Sequence, residues 1–135
     1  MIINTFLVED QPDIRTTVVE AMERVAPVKF VGQAEGEKAA RTWLREHTSD
    51  WQLAIVDLGL ADGSGFGVLK ECQARKPDQM VVVLTANDEI DIALRCHQLG
   101  ADKVFNKCSE LLKLVDFCKL HADNLSHDCP EPAYA

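Results

Sequence analysis

The chain has 135 residues, 47% of them hydrophobic, which fits one packed domain rather than a disordered chain. Its formal net charge of -8 lacks the Lys and Arg excess that neutralises nucleic-acid phosphates, so direct nucleic-acid binding is not expected. No apolar run approaches a membrane span, and no basic leader precedes the first strand, so a soluble cytoplasmic protein is expected.

Strand and helix alternate five times. A first strand at about residues 2–8 closes on Glu9-Asp10. The helix at about 11–26 carries Pro12 in its first turn and Ile14, Val18, Ala21, Met22 and Val25 on one face. A strand at about 28–34 and a helix at about 36–47 follow. The third strand, about 51–57, holds Leu53-Ala54-Ile55-Val56 and closes on Asp57, ahead of a helix at about 64–75. The fourth, about 80–85, is Met80-Val81-Val82-Val83-Leu84 closed by Thr85. The spacing of the next helix, about 88–99, predicts Ile90, Ala93, Leu94 and His97 inward and a stop at Gly100. A fifth strand at about 101–106 closes on Lys107. The last helix, about 109–124, takes Ser109 as N-cap and turns Leu111, Val115, Cys118 and Ala122 inward. The stretch 125–135 is polar, holds Pro130 and Pro132, and reads as a flexible tail after a domain at 1–124.

The third and fourth strands are nearly unbroken apolar runs, as central strands of a parallel sheet covered on both faces are. The fold class is therefore α/β, a doubly wound five-stranded parallel sheet. The five cysteines are odd in number and form no CxxC, which suits buried reduced thiols.

In such a sheet, ligands bind outside the carboxyl ends of the strands. Glu9, Asp10, Asp57, Thr85 and Lys107 all close apolar strands, so they converge on one crevice. If the first and third strands are neighbours, Asp10 and Asp57 lie side by side. Two carboxylates about 4 Å apart repel by roughly 4 kcal/mol at an effective dielectric of about 20. Mg²⁺ (or Mn²⁺) would compensate them, since it takes hard oxygens and needs only one or two carboxylates. Lys107 supplies a second positive charge, and Thr85 a hydroxyl donor for a phosphoryl oxygen. After Asp57 the run Leu58-Gly59-Leu60-Ala61-Asp62-Gly63-Ser64-Gly65 reads as a tight, mobile loop.

Val8-Glu9-Asp10, Val56-Asp57-Leu58 with Gly63-Ser64-Gly65, Leu84-Thr85-Ala86, and Gly100-Ala101-Asp102 leading to Lys107 together resemble the receiver domain of bacterial two-component response regulators. The resemblance implies a flavodoxin-like fold with strand order 2-1-3-4-5. It implies that Asp57 accepts a phosphoryl group from a histidine kinase, a histidine phosphotransfer protein or a small phosphodonor. It implies that Asp10 and Asp57 ligate the metal with the carbonyl of Gly59, that Glu9 acts through water, and that Thr85 and Lys107 contact the phosphoryl oxygens. The chain departs from the family at three places. Val104 stands where an aromatic switch residue is usual, and strand alternation keeps Phe105 from replacing it. Cys108 stands where proline often follows the lysine, so the Lys107–Cys108 bond is either trans or strained. Ala61 replaces a common proline, which leaves the loop after Asp57 more flexible. Gly59 and Asn87 occupy positions that tune hydrolysis in the family and predict a phosphorylated state that is not unusually long-lived.

The expected function is that of a stand-alone response regulator, not a turnover enzyme, which signals by phosphorylation-dependent contact with an unidentified protein, as a monomer or a phosphorylation-dependent dimer. Candidate output contacts are Arg95, His97, Lys103 and Phe105, and candidate phosphodonor contacts are Ile14, Arg15 and Val18, the apolar pair of which also fits the core. Two rival readings are a receiver-like interaction module that is never phosphorylated and a Mg²⁺-dependent phosphohydrolase. Gly59 argues against the second, which would want an acid two residues after its nucleophile.

Overall fold

A computed structural model describes residues 1–126. Five strands, β1 (Ile3–Val8), β2 (Val28–Ala34), β3 (Leu53–Asp57), β4 (Met80–Thr85) and β5 (Lys103–Asn106), form one sheet. They alternate with α1 (Pro12–Val25), α2 (Glu37–Glu46), α3 (Gly65–Cys72), α4 (Ile90–Gln98) and α5 (Leu111–Ser126). All pairings are parallel and the order is β2-β1-β3-β4-β5, as expected. The end of α5 lies two residues beyond the expected boundary of 124, and the rest of the proposed tail, 127–135, lies outside the described residues.

Strand alternation divides the core in two. Phe6, Val8, Ala54, Val56, Val81 and Val83 pack with Ala40, Leu44, Leu69 and Cys96 of α2, α3 and α4. Ile3, Leu7, Leu53, Ile55, Val82, Leu84 and Phe105 pack with Met22, Leu114, Val115 and Cys118 of α1 and α5. The three middle strands are sealed from water on both faces, which explains their unbroken apolar sequence.

Three helices depart from the expected faces. In α4, Ile90 and Leu94 are exposed, as is His97, while Cys96 is buried and Ile92 and Leu99 are half-buried. The segment carries two apolar stripes at helical spacing, and the one ending in Cys96 and Leu99 docks on the sheet. In α1 only Met22 is fully buried; Ile14 and Val18 are half-buried, and Ala21 and Val25 are exposed. In α5, Val115, Cys118 and Ala122 face inward as expected, whereas Leu111 is 41% exposed. Gly100 (φ 104) ends α4, with the Ala101 N–H donating back to the Cys96 carbonyl at 2.9 Å.

Candidate functional site

The β1–β3 register pairs Val8 with Val56, so Glu9 and Asp57 follow side by side at the carboxyl edge, with Asp10 one residue beyond. β3 and β4 pair Asp57 with Leu84, which puts Thr85 one step further along the same edge. Carboxylate oxygens of Glu9, Asp10 and Asp57 lie within 4.8 Å of one another. Glu9 and Asp57 are only 3% and 7% exposed, so their charges are poorly hydrated. Lys107 answers them, its Nζ lying 3.1 Å from Glu9 Oε1 and 3.2 Å from Asp57 Oδ2.

Burial, reinforced by the charge of Asp57, raises the pKa of Glu9 above the usual carboxylate value, and the Gln11 N–H and Lys107 only partly oppose this. Burial pulls Lys107 down, but its hydrogen bond to Glu9 and the charges of Asp57 and Glu9 outweigh it, so its pKa is raised. The donor set is hard oxygen with more negative than positive charge, which fits Mg²⁺.

The other expected site residues fall as follows. The Gly59 N–H donates to Asp57 Oδ1 at 3.3 Å, and no atom crowds the space where a side chain on Gly59 would lie. Asp10 Oδ2 accepts from the Ala61 N–H at 3.0 Å. Thr85 Oγ1 accepts from the Asn87 N–H at 3.1 Å. The Asn87 carboxamide is engaged with Glu89, from whose N–H it accepts at 2.8 Å, so it is tied to the start of α4. No described peptide bond is cis, so Lys107–Cys108 is trans.

Ile14 and Val18 line a cavity of about 370 Å³ beside Asp57 and Lys107, with Leu84, Cys108 and Leu111. Arg15 donates to the Glu9 carbonyl at 2.8 Å and thereby braces the β1–α1 turn. Arg95 is exposed, its guanidinium 4.2 Å from the Phe66 ring centroid, and His97 and Lys103 are also exposed. Phe105 does not belong with them. It is 8% exposed and packs edge-on against Phe117 of α5 at 6.1 Å, because alternation sends it to the face opposite Val104. Val104 packs against the α2–α4 side of the core.

Sequence reasoning missed Asn106. Its Oδ1 accepts from the N–H groups of Cys108 (2.8 Å) and Ser109 (3.1 Å), its own N–H donates to Glu110 Oε1 (2.8 Å), and its amide donates to Asp88. Asn106 rather than Ser109 thus caps the turn into α5 and ties it to the β4–α4 loop. The signal was present as an Asx residue shortly before Glu110 and an apolar run.

Fold and site together define a doubly wound α/β domain with an acidic pocket closed by one lysine. Residues 5–119 match the response regulator receiver domain. The chain is 31% identical over 108 residues to the response regulator protein PilR of Pseudomonas aeruginosa, which covers 80% of this chain and 23% of that protein. It is 32% identical over 101 residues to the photosynthetic apparatus regulatory protein RegA of Cereibacter sphaeroides, covering 75% and 53% respectively. The response regulator domain of Thermotoga maritima CheB shares the fold with a TM-score of 0.74 at 17% identity, over 89% of this chain and 98% of that one. The chain belongs to the response regulator receiver domain family. It spans about half or less of the length of these two regulators. Among the described residues no helix is long and apolar enough to cross a membrane.

Proposed function

We propose that Asp57 accepts a phosphoryl group from a histidine kinase or histidine phosphotransfer protein in a Mg²⁺-dependent, self-catalysed reaction in the cytoplasm. The observation that carries this reading is the buried Asp57 carboxylate, 3.2 Å from Lys107 and clustered with two further carboxylates at the carboxyl edge. Asp10, Asp57 and the Gly59 carbonyl would hold the metal, with Glu9 acting through water. The bound metal would supply positive charge against the equatorial phosphoryl oxygens. An Asp57 oxygen attacks phosphorus in line with the departing donor group. Lys107 stabilises the charge that builds on the transferred oxygens, and the Thr85 hydroxyl donates to one of them. The product carries about −1.5 to −2 charges where Asp57 carried one. That change biases the loops and the α4–β5–α5 face, where Arg95, His97 and Lys103 are available to a downstream protein.

The test is intact mass after incubation with Mg²⁺ and acetyl phosphate, beside Asp57→Ala and an EDTA control. One added phosphoryl group, lost in both controls, is expected. A wild-type protein that gains none from acetyl phosphate or phosphoramidate overturns the reading.

A further inference from the structure

The loop between β3 and α3, which carries the Gly59 carbonyl, is anchored from outside at its middle and at its far end. At its middle Asp10 accepts the Ala61 N–H, and at its far end a residue of α2 takes hold. Glu37, the first residue of α2, accepts the Ser64 N–H at 2.9 Å on Oε1, and its own N–H donates to the Asp62 carbonyl at 2.9 Å. Its Oε2 takes the Arg41 guanidinium at 3.0 Å. The chain is shaped around this carboxylate. A Cβ at Gly63 (φ 82) would lie 2.8 Å from Glu37 Oε1, and a Cβ at Gly67 would occupy the position of Oε2. Two glycines therefore leave the space that one side chain fills. The Ser64 N–H first, then Arg41, keep the Glu37 carboxyl below its usual range, so it is an anion at neutral pH.

We infer that Glu37 is a positioning residue for the metal: it holds the β3–α3 loop so that the Gly59 carbonyl stays within reach of a cation at Asp10 and Asp57. This rests on the reading of the pocket as a Mg²⁺ site. An Asp10 carboxylate that turns toward a metal can no longer hold the Ala61 N–H with the same oxygen, and Glu37 then anchors the loop from outside the set of metal ligands. Glu37 does not touch the metal or the phosphoryl group.

The test titrates Mg²⁺ alone, with no phosphodonor, and reads the rise in melting temperature, which reports binding to the folded state. Glu37→Asp keeps the charge but cannot reach Ser64. Gly67→Ala pushes the carboxylate aside from the α3 side while favouring the helix, so it folds even if the first variant does not. Each should raise the half-saturating Mg²⁺ concentration about tenfold, the scale of one hydrogen bond to a charged group. Glu37→Gln keeps an acceptor for the Ser64 N–H and should stay within about threefold of wild type. Half-saturation within twofold of wild type in both Glu37→Asp and Gly67→Ala overturns the inference. A wild-type response to Mg²⁺ that survives in Asp10→Asn would instead overturn the metal site itself.

Discussion

Lys107→Met keeps a long apolar stem and removes, among the described residues, the positive charge in contact with both Glu9 and Asp57. At 4.8 Å, the outer limit of the carboxylate separations, each pair of full charges repels by about 3.5 kcal/mol at an effective dielectric of about 20. Each of the two lysine contacts attracts by about 5 kcal/mol on the same scale. Since 4.8 Å is an upper bound, the three repulsions are at least as large as the two attractions, and the lysine offsets much of the pocket's repulsion. The variant would not lose the full electrostatic amount, because Glu9, already raised, takes up a proton instead. The expected loss is about 3–5 kcal/mol at pH 7 without Mg²⁺, the range for a broken buried pair. The sign of its pH dependence follows from Glu9. A carboxyl whose folded value is raised favours the fold below its unfolded value and loses that advantage as pH rises through the folded one. Without the lysine Glu9 rises further, so the deficit against wild type shrinks as pH falls toward 5. Mg²⁺ at about 10 mM should also recover part of it. Urea unfolding followed by tryptophan fluorescence measures all three. A deficit below about 1 kcal/mol at pH 7, or one equal at pH 5 and 7, would refute the electrostatic reasoning.

Lys107 itself should show on the alkaline side: its contribution holds below its ordinary value of 10.5 and is lost as pH rises through the higher folded value, so the wild type, but not Lys107→Met, should lose stability there in a pH series of urea midpoints. Ala61→Pro removes the N–H that Asp10 now accepts, so the half-saturating Mg²⁺ concentration should fall, and an unchanged value would show that this bond does not compete with the metal. Asn106→Ala should cost about 1–2 kcal/mol in urea unfolding, because it leaves the Cys108 and Ser109 N–H groups without their cap. Among the described cysteines, Cys108 should be alkylated fastest under native conditions. Cys72 and Cys118, each pushed by burial up to about 12, should label only with unfolding, as peptide mapping can follow.

The sheet was legible because burial on both faces leaves an unmistakable sequence: Val81-Val82-Val83-Leu84 can be little else than a central strand. The acidic carboxyl edge was legible for a related reason, since a charged residue after such a run has to leave the sheet at its end. The helices were harder. In α4 the sequence Ile90-Asp91-Ile92-Ala93-Leu94-Arg95-Cys96 supports two inward stripes, and only docking on the sheet selects Ile92 and Cys96. Phe105 is expected among the output contacts with Arg95, His97 and Lys103, yet alternation places it on the covered α1–α5 side. Glu37 carried no local signal, since its partners Ser64 and Gly67 stand in a different βα unit and meet it only after the sheet is assembled.

The pocket's chemistry depends on that rigid frame. Three carboxylates held within 4.8 Å would separate if the strands beneath them could move. They cannot, because β1 and β3, in register from Thr5 opposite Leu53 to Val8 opposite Val56, are sealed by side chains of zero or near-zero exposure on both faces. The repulsion is therefore borne by the loops: Arg15 braces the β1–α1 turn, Glu37 and Asp10 hold the β3–α3 loop, and Asn106 holds the β5–α5 turn against Asp88. A change of charge at Asp57 acts on this shell of polar contacts before it acts on the core. Val104 offers no ring to carry such a change across the sheet, whereas Lys107 joins Asp57 through its side chain and Thr85 through its N–H, 3.0 Å from the Thr85 carbonyl. In this chain Asp57 and the β4–β5 edge are thus coupled through Lys107, which also offsets part of the pocket's negative charge.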